Sequence, residues 1–263
     1  MRKTIPLAQR IIVALDVPDV RSALTLAERL GEKVVFYKVG LELFLAGGFA
    51  VPDRLAAMGR KVMLDLKFHD IPETVKRAVA RLADHDIALF TVHAAPGVVS
   101  AAAATKGRAG LLAVTVLTSH DPVQARSMAV DGETLGVGSP EAGEDWVGNL
   151  VLTRARDALK NGADGVVCSG REAALLRQEL GEDFLIVTPG IRPADHATDD
   201  QRRAVTAAAA IRAGADHLVV GRPITRAPDP LAAAEAILAE VAIAGGCVFD
   251  MAGPNGTNGA GGG

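Results

Sequence analysis

Short runs of β-branched and aliphatic residues alternate along the chain with longer segments rich in Ala, Leu, Arg and Glu. The apolar runs read as strands at 11–15, 34–39, 62–66, 88–92, 111–116, 165–168, 185–188 and 217–220. The longer segments carry one polar face each and read as helices at 19–30, 49–58, 72–83, 97–105, 146–160, 171–180, 201–213 and 230–244. The strands are nearly continuous in their hydrophobicity, as parallel strands covered on both faces must be. Strict strand–helix alternation implies a parallel sheet, and eight units favour closure into a (β/α)₈ TIM barrel of the α/β class. An open, doubly wound sheet is the alternative, but the first strand runs into Asp16-Val17-Pro18-Asp19 rather than a Gly-rich dinucleotide fingerprint.

Two helix-to-strand turns resemble each other, Asn161-Gly162-Ala163-Asp164 and Ala213-Gly214-Ala215-Asp216. Each places Gly where a helix ends in the left-handed conformation, so the pair reads as a repeated βα unit. Two segments break the rhythm: 118–145, with a short helix expected near 123–129, and the polar loop 190–200. Long loops in compact domains are usually functional. The expected organisation is one catalytic barrel over 1–245 and a disordered Gly-rich tail over 246–263.

Composition narrows the function. The length of 263 residues suits a single barrel of about 250 residues. A net charge of −3 carries no basic footprint for nucleic acid or an anionic membrane, so an anionic ligand must be held by local charges. The two cysteines, Cys168 and Cys247, have neither metal-site nor disulfide-framework spacing and fit a reducing compartment. The basic start, MRKTIPLAQR, is not followed by a long apolar run, and no stretch approaches the roughly 20 residues needed to span a bilayer. A soluble, cytoplasmic protein is expected.

In a closed barrel the chemistry lies at the C-terminal ends of the strands. Asp16 follows strand 1, Lys38 lies on strand 2, and Asp65 and Lys67 lie on strand 3, with Asp70 just beyond. Two residues apart on a strand, Asp65 and Lys67 face the same side. Asp16 and Lys38 join them if consecutive strands are neighbours, which makes a cluster of alternating carboxylates and ammoniums. The bland alternative is a structural salt-bridge network at the barrel mouth. A second group follows strands 7 and 8: Gly190, Arg192, Gly221 and Arg222. Barrels often bind phosphate there, glycine lets backbone N–H groups approach an anion, and arginine offers a planar fork. Otherwise these glycines serve turns and the arginines are solvated. His69 and His93, with Asp65 and Asp70, offer metal-type donors, but Lys38 and Lys67 already neutralise the carboxylates, so no metal is expected. Cys168 reads as core.

These residues carry a resemblance. DLKFHDIPET at 65–74 resembles the signature of the orotidine 5′-phosphate decarboxylase family. ALDV at 14–17, FYKVG at 36–40, VHAAPG at 92–97, TVLTS at 115–119, VTPGIRP at 187–193 and VVGRPIT at 219–225 are similar to the family's other blocks, in order, over roughly 11–241. Glu73 stands where the family often has Asn, and the Gly-rich tail is outside the pattern. The resemblance implies decarboxylation of orotidine 5′-phosphate to UMP and CO₂, the last step of de novo pyrimidine nucleotide biosynthesis, without cofactor or metal. By the same resemblance, Lys67 is the proton donor and Asp65 lies against the substrate carboxylate. Lys38 bridges the ribose hydroxyls and the carboxylate cluster, and Asp16 binds the ribose and pyrimidine side. Thr118 and Ser119 meet the pyrimidine. Arg192, Gln201, Gly221 and Arg222 hold the 5′-phosphate, with 190–201 closing over it. Asp70, Ile71 and Thr74 serve the neighbouring site of a homodimer. DxKxxD alone is shared with metal-dependent 3-keto-sugar-phosphate decarboxylases and hexulose-phosphate lyases, the nearest competing reading. A non-catalytic nucleotide-binding barrel is the competitor of another class.

Overall fold

A computed structural model describes residues 5–95, 97–118, 146–192 and 204–245. Eight parallel strands close into one barrel in chain order: β1 Ile11–Ala14, β2 Phe36–Gly40, β3 Lys61–Phe68, β4 Leu89–His93, β5 Gly110–Val114, β6 Gly165–Val167, β7 Leu185–Thr188 and β8 His217–Val220. Each expected strand is present, and β8 pairs with β1 to complete the ring.

The outer helices fall where hydrophobic periodicity places them: Val20–Leu30, Ala50–Ala57, Pro72–Ala80, Val98–Ala103, Trp146–Lys160, Ala173–Leu180, Ala207–Arg212 and Pro230–Ala244. Their starts follow local chemistry. Asp19 caps the first by accepting from the Ser22 N–H at 2.8 Å. Asp229 caps the last, accepting from Leu231 and Ala232, with Pro230 at a position that needs no N–H donor. The segment expected as one helix over 72–83 is an α-helix to Ala80 and a 3₁₀ turn over Arg81–Asp84. Three short helices, Leu7–Arg10, Leu41–Gly47 and Arg222–Thr225, are additions to the expected set. The helix expected over 201–213 begins only at Ala207, because Val205 bridges Ile191 and Thr206 is the extended N-cap, accepting from the Ala209 N–H. The helix expected near 123–129, residues 201–203 and the tail 246–263 lie outside the described residues.

Alternation along each strand makes two cores. Ile12, Ala14, Phe36, Met63, Leu89, Leu112, Val114, Val167, Val187 and Val219 fill the barrel interior. Their strand neighbours, among them Ile11, Val13, Tyr37, Leu64, Phe90 and Val220, pack outward against the helices. Both faces are dry, which is why these strands show no polar alternation. Cys168 is fully buried in the outer core, as expected.

The N-terminal face of the barrel is a stability device. Before β6, Asp164 donates its N–H to the Leu111 carbonyl at 2.9 Å and accepts the Leu111 N–H on Oδ2 at 2.7 Å. Before β8, Asp216 donates to the Ile186 carbonyl at 2.8 Å and accepts the Ile186 N–H on Oδ2 at 2.9 Å. Each aspartate thus pins the start of the preceding strand, and each takes a cation: Lys106 for Asp164, and Arg177 at 2.6 Å for Asp216. The similar turns seen in the sequence therefore perform one job twice. Gly214, at φ +105°, leaves room for Arg177, whose Cγ would lie 2.7 Å from an added Cβ. Arg177 also stacks over Phe184 and is nearly buried. Removing one partner of such a pair strands the other charge. Asp216→Ala is expected to lower the unfolding free energy by about 3–5 kcal/mol in urea denaturation, and a loss under about 1 kcal/mol would contradict this account of the barrel base.

Candidate active site

At the other end of the barrel, the strand termini surround a cavity of about 430 Å³, a size typical of small-molecule sites, which run from roughly 300 to 1,000 Å³. Its floor is the top of the inner core: Ala14, Met63, Val114, Val167 and Val219. The segment after β1 supplies Asp16, strands β2 and β3 supply Lys38, Asp65 and Lys67, and the segment after β5 supplies Leu117 and Thr118. The segments after β7 and β8 supply Pro189, Gly190, Arg192, Gly221 and Arg222. Eight of the residues expected at the site therefore face one cavity: Asp16, Lys38, Asp65, Lys67, Thr118, Arg192, Gly221 and Arg222. Ser119 and Gln201 lie outside the described residues.

Asp65 is the hub. Its Oδ2 accepts from Lys67 Nζ at 2.8 Å and lies 3.6 Å from Lys38 Nζ, which itself bonds Asp16 Oδ1 at 3.0 Å. Asp65 Oδ1 accepts from the Thr91 hydroxyl at 2.9 Å. Adjacent strands set this register: Ala14 pairs with Lys38, and Gly40 with Asp65. Burial raises the Asp65 pKa, but the ammoniums of Lys38 and Lys67 and the bonds from Lys67 and Thr91 outweigh it. The carboxyl is held below its usual value. Burial, then the neighbouring His69, Lys67 and Arg154, lowers the pKa of His93 against the opposing pull of Asp65, favouring its neutral imidazole.

Asp65 and Lys67 do meet, but regular strand alternation is not the reason. Met63 pairs with Leu89 and Leu64 with Phe90, yet Phe68 pairs with Val92. Four residues of β3 thus run beside two of β4, and the strand bulges between Leu64 and Phe68. Lys67 sits in the bulge at φ +49°, the sole non-glycine residue with positive φ among those described. Its freed N–H is taken by Thr91 Oγ1 at 3.0 Å. Backbone strain of this kind concentrates at functional sites.

Asp70 and Thr74 do not line the cavity. They border a second hollow with Lys67, His69, His93, Leu41 and Leu45. Asp70 accepts the adjacent Ile71 N–H at 2.6 Å. Ile71, Leu41 and Leu45 are 67%, 58% and 84% exposed, so an apolar surface surrounds this hollow. Lys67 is common to both spaces. His69 and His93 lie with ring centres 5.2 Å apart. Among the described residues, no three His, Cys, Asp or Glu side chains are grouped as a metal site requires.

Two contributors escaped the sequence reading. Thr91 looks like one more residue of an apolar strand, and only its hydroxyl, inside a run of aliphatic side chains, signals a buried polar duty. Gly40 is the other. A Cβ there would lie 3.0 Å from Lys38 Nζ and 3.5 Å from Asp16 Oδ1, so glycine leaves the space the ion pair occupies. Beyond β7, Arg192 N–H donates to the Val205 carbonyl at 3.0 Å and Ile191 bridges Val205, which fixes the backbone of Arg192 at the cavity.

Comparison with known proteins identifies the family. A profile described as "Orotidine 5'-phosphate decarboxylase / HUMPS family" matches residues 9–237. The chain belongs to that family. It is 49% identical over 241 residues to an orotidine 5′-phosphate decarboxylase of Methylococcus capsulatus, covering 91% of this chain and 94% of that one. It is 51% identical over 235 residues to one of Rhodopseudomonas palustris, covering 89% and 94%. A crystal structure of orotidine 5′-phosphate decarboxylase from Lactobacillus acidophilus superposes with a TM-score of 0.72 at 38% identity, covering 89% of this chain and 99% of that one.

The depressed Asp65 pKa sets a pH dependence. A carboxyl whose folded value lies below its unfolded value of about 3.9 adds stability that is full above that pH and is lost as pH falls through the folded value. The stability difference between wild type and Asp65→Asn, followed by thermal unfolding, is expected to shift against the wild type as pH drops below about 4. A difference that does not change with pH would mean that Asp65 is not held as an ion pair.

Proposed function

We propose that the chain decarboxylates orotidine 5′-phosphate to UMP and CO₂ in pyrimidine biosynthesis, with Lys67 as proton donor. The observation that carries the reading is Lys67 itself: an ammonium in a strained backbone, bonded to Asp65, at the edge of a cavity that also holds Arg192 and Arg222.

The substrate's two ends match the two charged regions. Arg192 and Arg222, with the backbone at Gly190 and Gly221, take the 5′-phosphate. Asp16, Lys38 and Thr118 take the ribose and pyrimidine. The reacting carbon, C6, then faces Lys67. The C6–carboxylate bond breaks, CO₂ leaves, and the electron pair stays on C6. That carbanion has little delocalisation, so stabilisation must come from a charge already in place. The Lys67 ammonium provides it, then transfers a proton from Nζ to C6, and solvent reprotonates the amine. Asp65 keeps Lys67 aimed. Phosphate binding, remote from C6, supplies energy that can be used in the transition state.

We assign Asp70, Ile71 and Thr74 to the neighbouring site of a homodimer. Their absence from the cavity, the exposed Ile71, Leu41 and Leu45, and the second hollow that reaches Lys67 support this reading. An isologous dimer would bury that apolar surface and bring the partner's acidic loop toward Lys67. A cytoplasmic location is part of the same proposal, supported by the activity and by two cysteines without disulfide-framework spacing.

Lys67→Ala is expected to retain UMP binding by calorimetry while turnover of orotidine 5′-phosphate falls by at least about 10³-fold, more than one misplaced hydrogen bond accounts for. Turnover within tenfold of wild type would remove Lys67 as donor. The shared site has its own test. Subunit exchange between the inactive variants Lys67→Ala and Asp70→Ala would create heterodimers with one intact site, so activity should recover to about a quarter of wild type in a statistical mixture. No recovery after demonstrated exchange would place Asp70 in its own subunit's site.

A further inference from the structure

Lys67 is held at both ends. Its main-chain N–H donates to Thr91 Oγ1 at 3.0 Å, and its Nζ donates to Asp65 Oδ2 at 2.8 Å. Thr91 and Asp65 are themselves joined, hydroxyl to Oδ1, at 2.9 Å. The three contacts close a ring through one threonine, one carboxylate and one lysine. Thr91 is fully buried on β4. Its hydroxyl has a single proton. Because Asp65 takes that proton, the oxygen's lone pairs face the Lys67 N–H, and the direction of both bonds is determined.

The bulge in β3 makes this necessary. Where four residues of β3 run beside two of β4, the ladder cannot serve every N–H, and the positive φ of Lys67 turns its N–H toward the Thr91 side chain. A buried N–H without a partner is costly, so an aliphatic residue at position 91 would favour a different backbone at Lys67. Thr91 also divides the duties of Asp65. With Oδ1 occupied by a neutral donor, Oδ2 is left to both ammoniums, Lys67 at 2.8 Å and Lys38 at 3.6 Å. Lys67 Nζ thereby has one well-defined location.

We infer that Thr91 is a positioning residue for the decarboxylation, holding the strained backbone of Lys67 and the rotamer of Asp65 so that the ammonium stands where C6 becomes basic. The inference rests on the assignment of Lys67 as proton donor. It predicts an effect on the chemical step and little on binding, since Thr91 does not line the cavity.

Thr91→Val keeps the shape and removes the hydroxyl, while Thr91→Ser keeps the hydroxyl. With orotidine 5′-phosphate as substrate, Thr91→Val is expected to lose kcat on the order of 10–100-fold, with KM and UMP affinity within about threefold, and Thr91→Ser is expected to restore most of the loss. Hydrogen exchange, which needs no turnover, should show the Lys67 amide at least tenfold less protected in Thr91→Val, while the β5 amide of Leu112 is unchanged. If the valine variant does not fold, Thr91→Ala replaces it, and a serine variant at least tenfold faster than the alanine variant supports the inference. A kcat within twofold of wild type, equal losses for the serine and hydroxyl-free variants, or unchanged exchange at Lys67 would overturn it. Wild type and Lys67→Ala run alongside keep the two readings apart: an active Lys67→Ala refutes the proton donor, whereas an inactive one beside a fully active Thr91→Val refutes only Thr91.

Discussion

One carboxylate oxygen stands between two ammoniums at the mouth of this barrel. Asp65 Oδ2 is within 3.6 Å of both Lys38 and Lys67, and an arrangement of this kind forms only if the backbone delivers all three side chains in advance. Two cations left to themselves would separate into solvent, where an exposed pair has little net value. Here β2 and β3 are locked in register, Gly40 leaves space for Lys38, and Thr91 holds the second carboxylate oxygen. The aspartate then remains ionised, and Lys67 is held toward the cavity by its bond to Oδ2. A charge organised before the reaction is what a poorly delocalised carbanion requires.

The barrel divides its work between its two ends. At the N-terminal face, Asp164 and Asp216 take strand N–H groups and a cation each, a repeated solution to starting a parallel strand. At the C-terminal face, the same fold exposes strained backbone and excess charge. Energy gained at the base and in the two cores offsets that local cost. The bulge in β3 marks the transition: below it the strand pairs regularly with β4, and within it Lys67 adopts a conformation that an ordinary strand excludes.

The eight strands were legible because each is dry on both faces, so a short unbroken apolar run is itself the signal. The charged residues stood out for the complementary reason, since Asp16, Lys38, Asp65 and Lys67 close apolar runs where only function or an ion pair would keep them. The short helices Leu41–Gly47 and Arg222–Thr225 were not legible because each follows directly on the end of a strand, β2 and β8, ahead of the longer helix whose periodic face dominates the pattern. The bulge was missed for a related reason: a period of two assumes regular pairing, and nothing in Leu66-Lys67-Phe68 announces a left-handed lysine. The contact between Asp65 and Lys67 was foreseen by an argument that the backbone does not obey. Thr91 was invisible because its role is defined by Asp65 and Lys67 on the adjacent strand, and Gly40 because its role depends on where the Lys38 ammonium lies when it meets Asp16.

The DxKxxD segment taken alone leaves two kinds of chemistry open, decarboxylation of a nucleotide by preorganised charge or metal-assisted chemistry on a sugar phosphate. The donor set favours the first, because Asp65, the buried carboxylate of the cavity, is already neutralised by two lysines. The most direct test is the loss of orotidine 5′-phosphate absorbance on mixing with the purified protein in excess EDTA. Charge preorganisation around Asp65 and Lys67 predicts full turnover, unchanged by adding back magnesium. No turnover, or turnover that appears only with the metal, would contradict it.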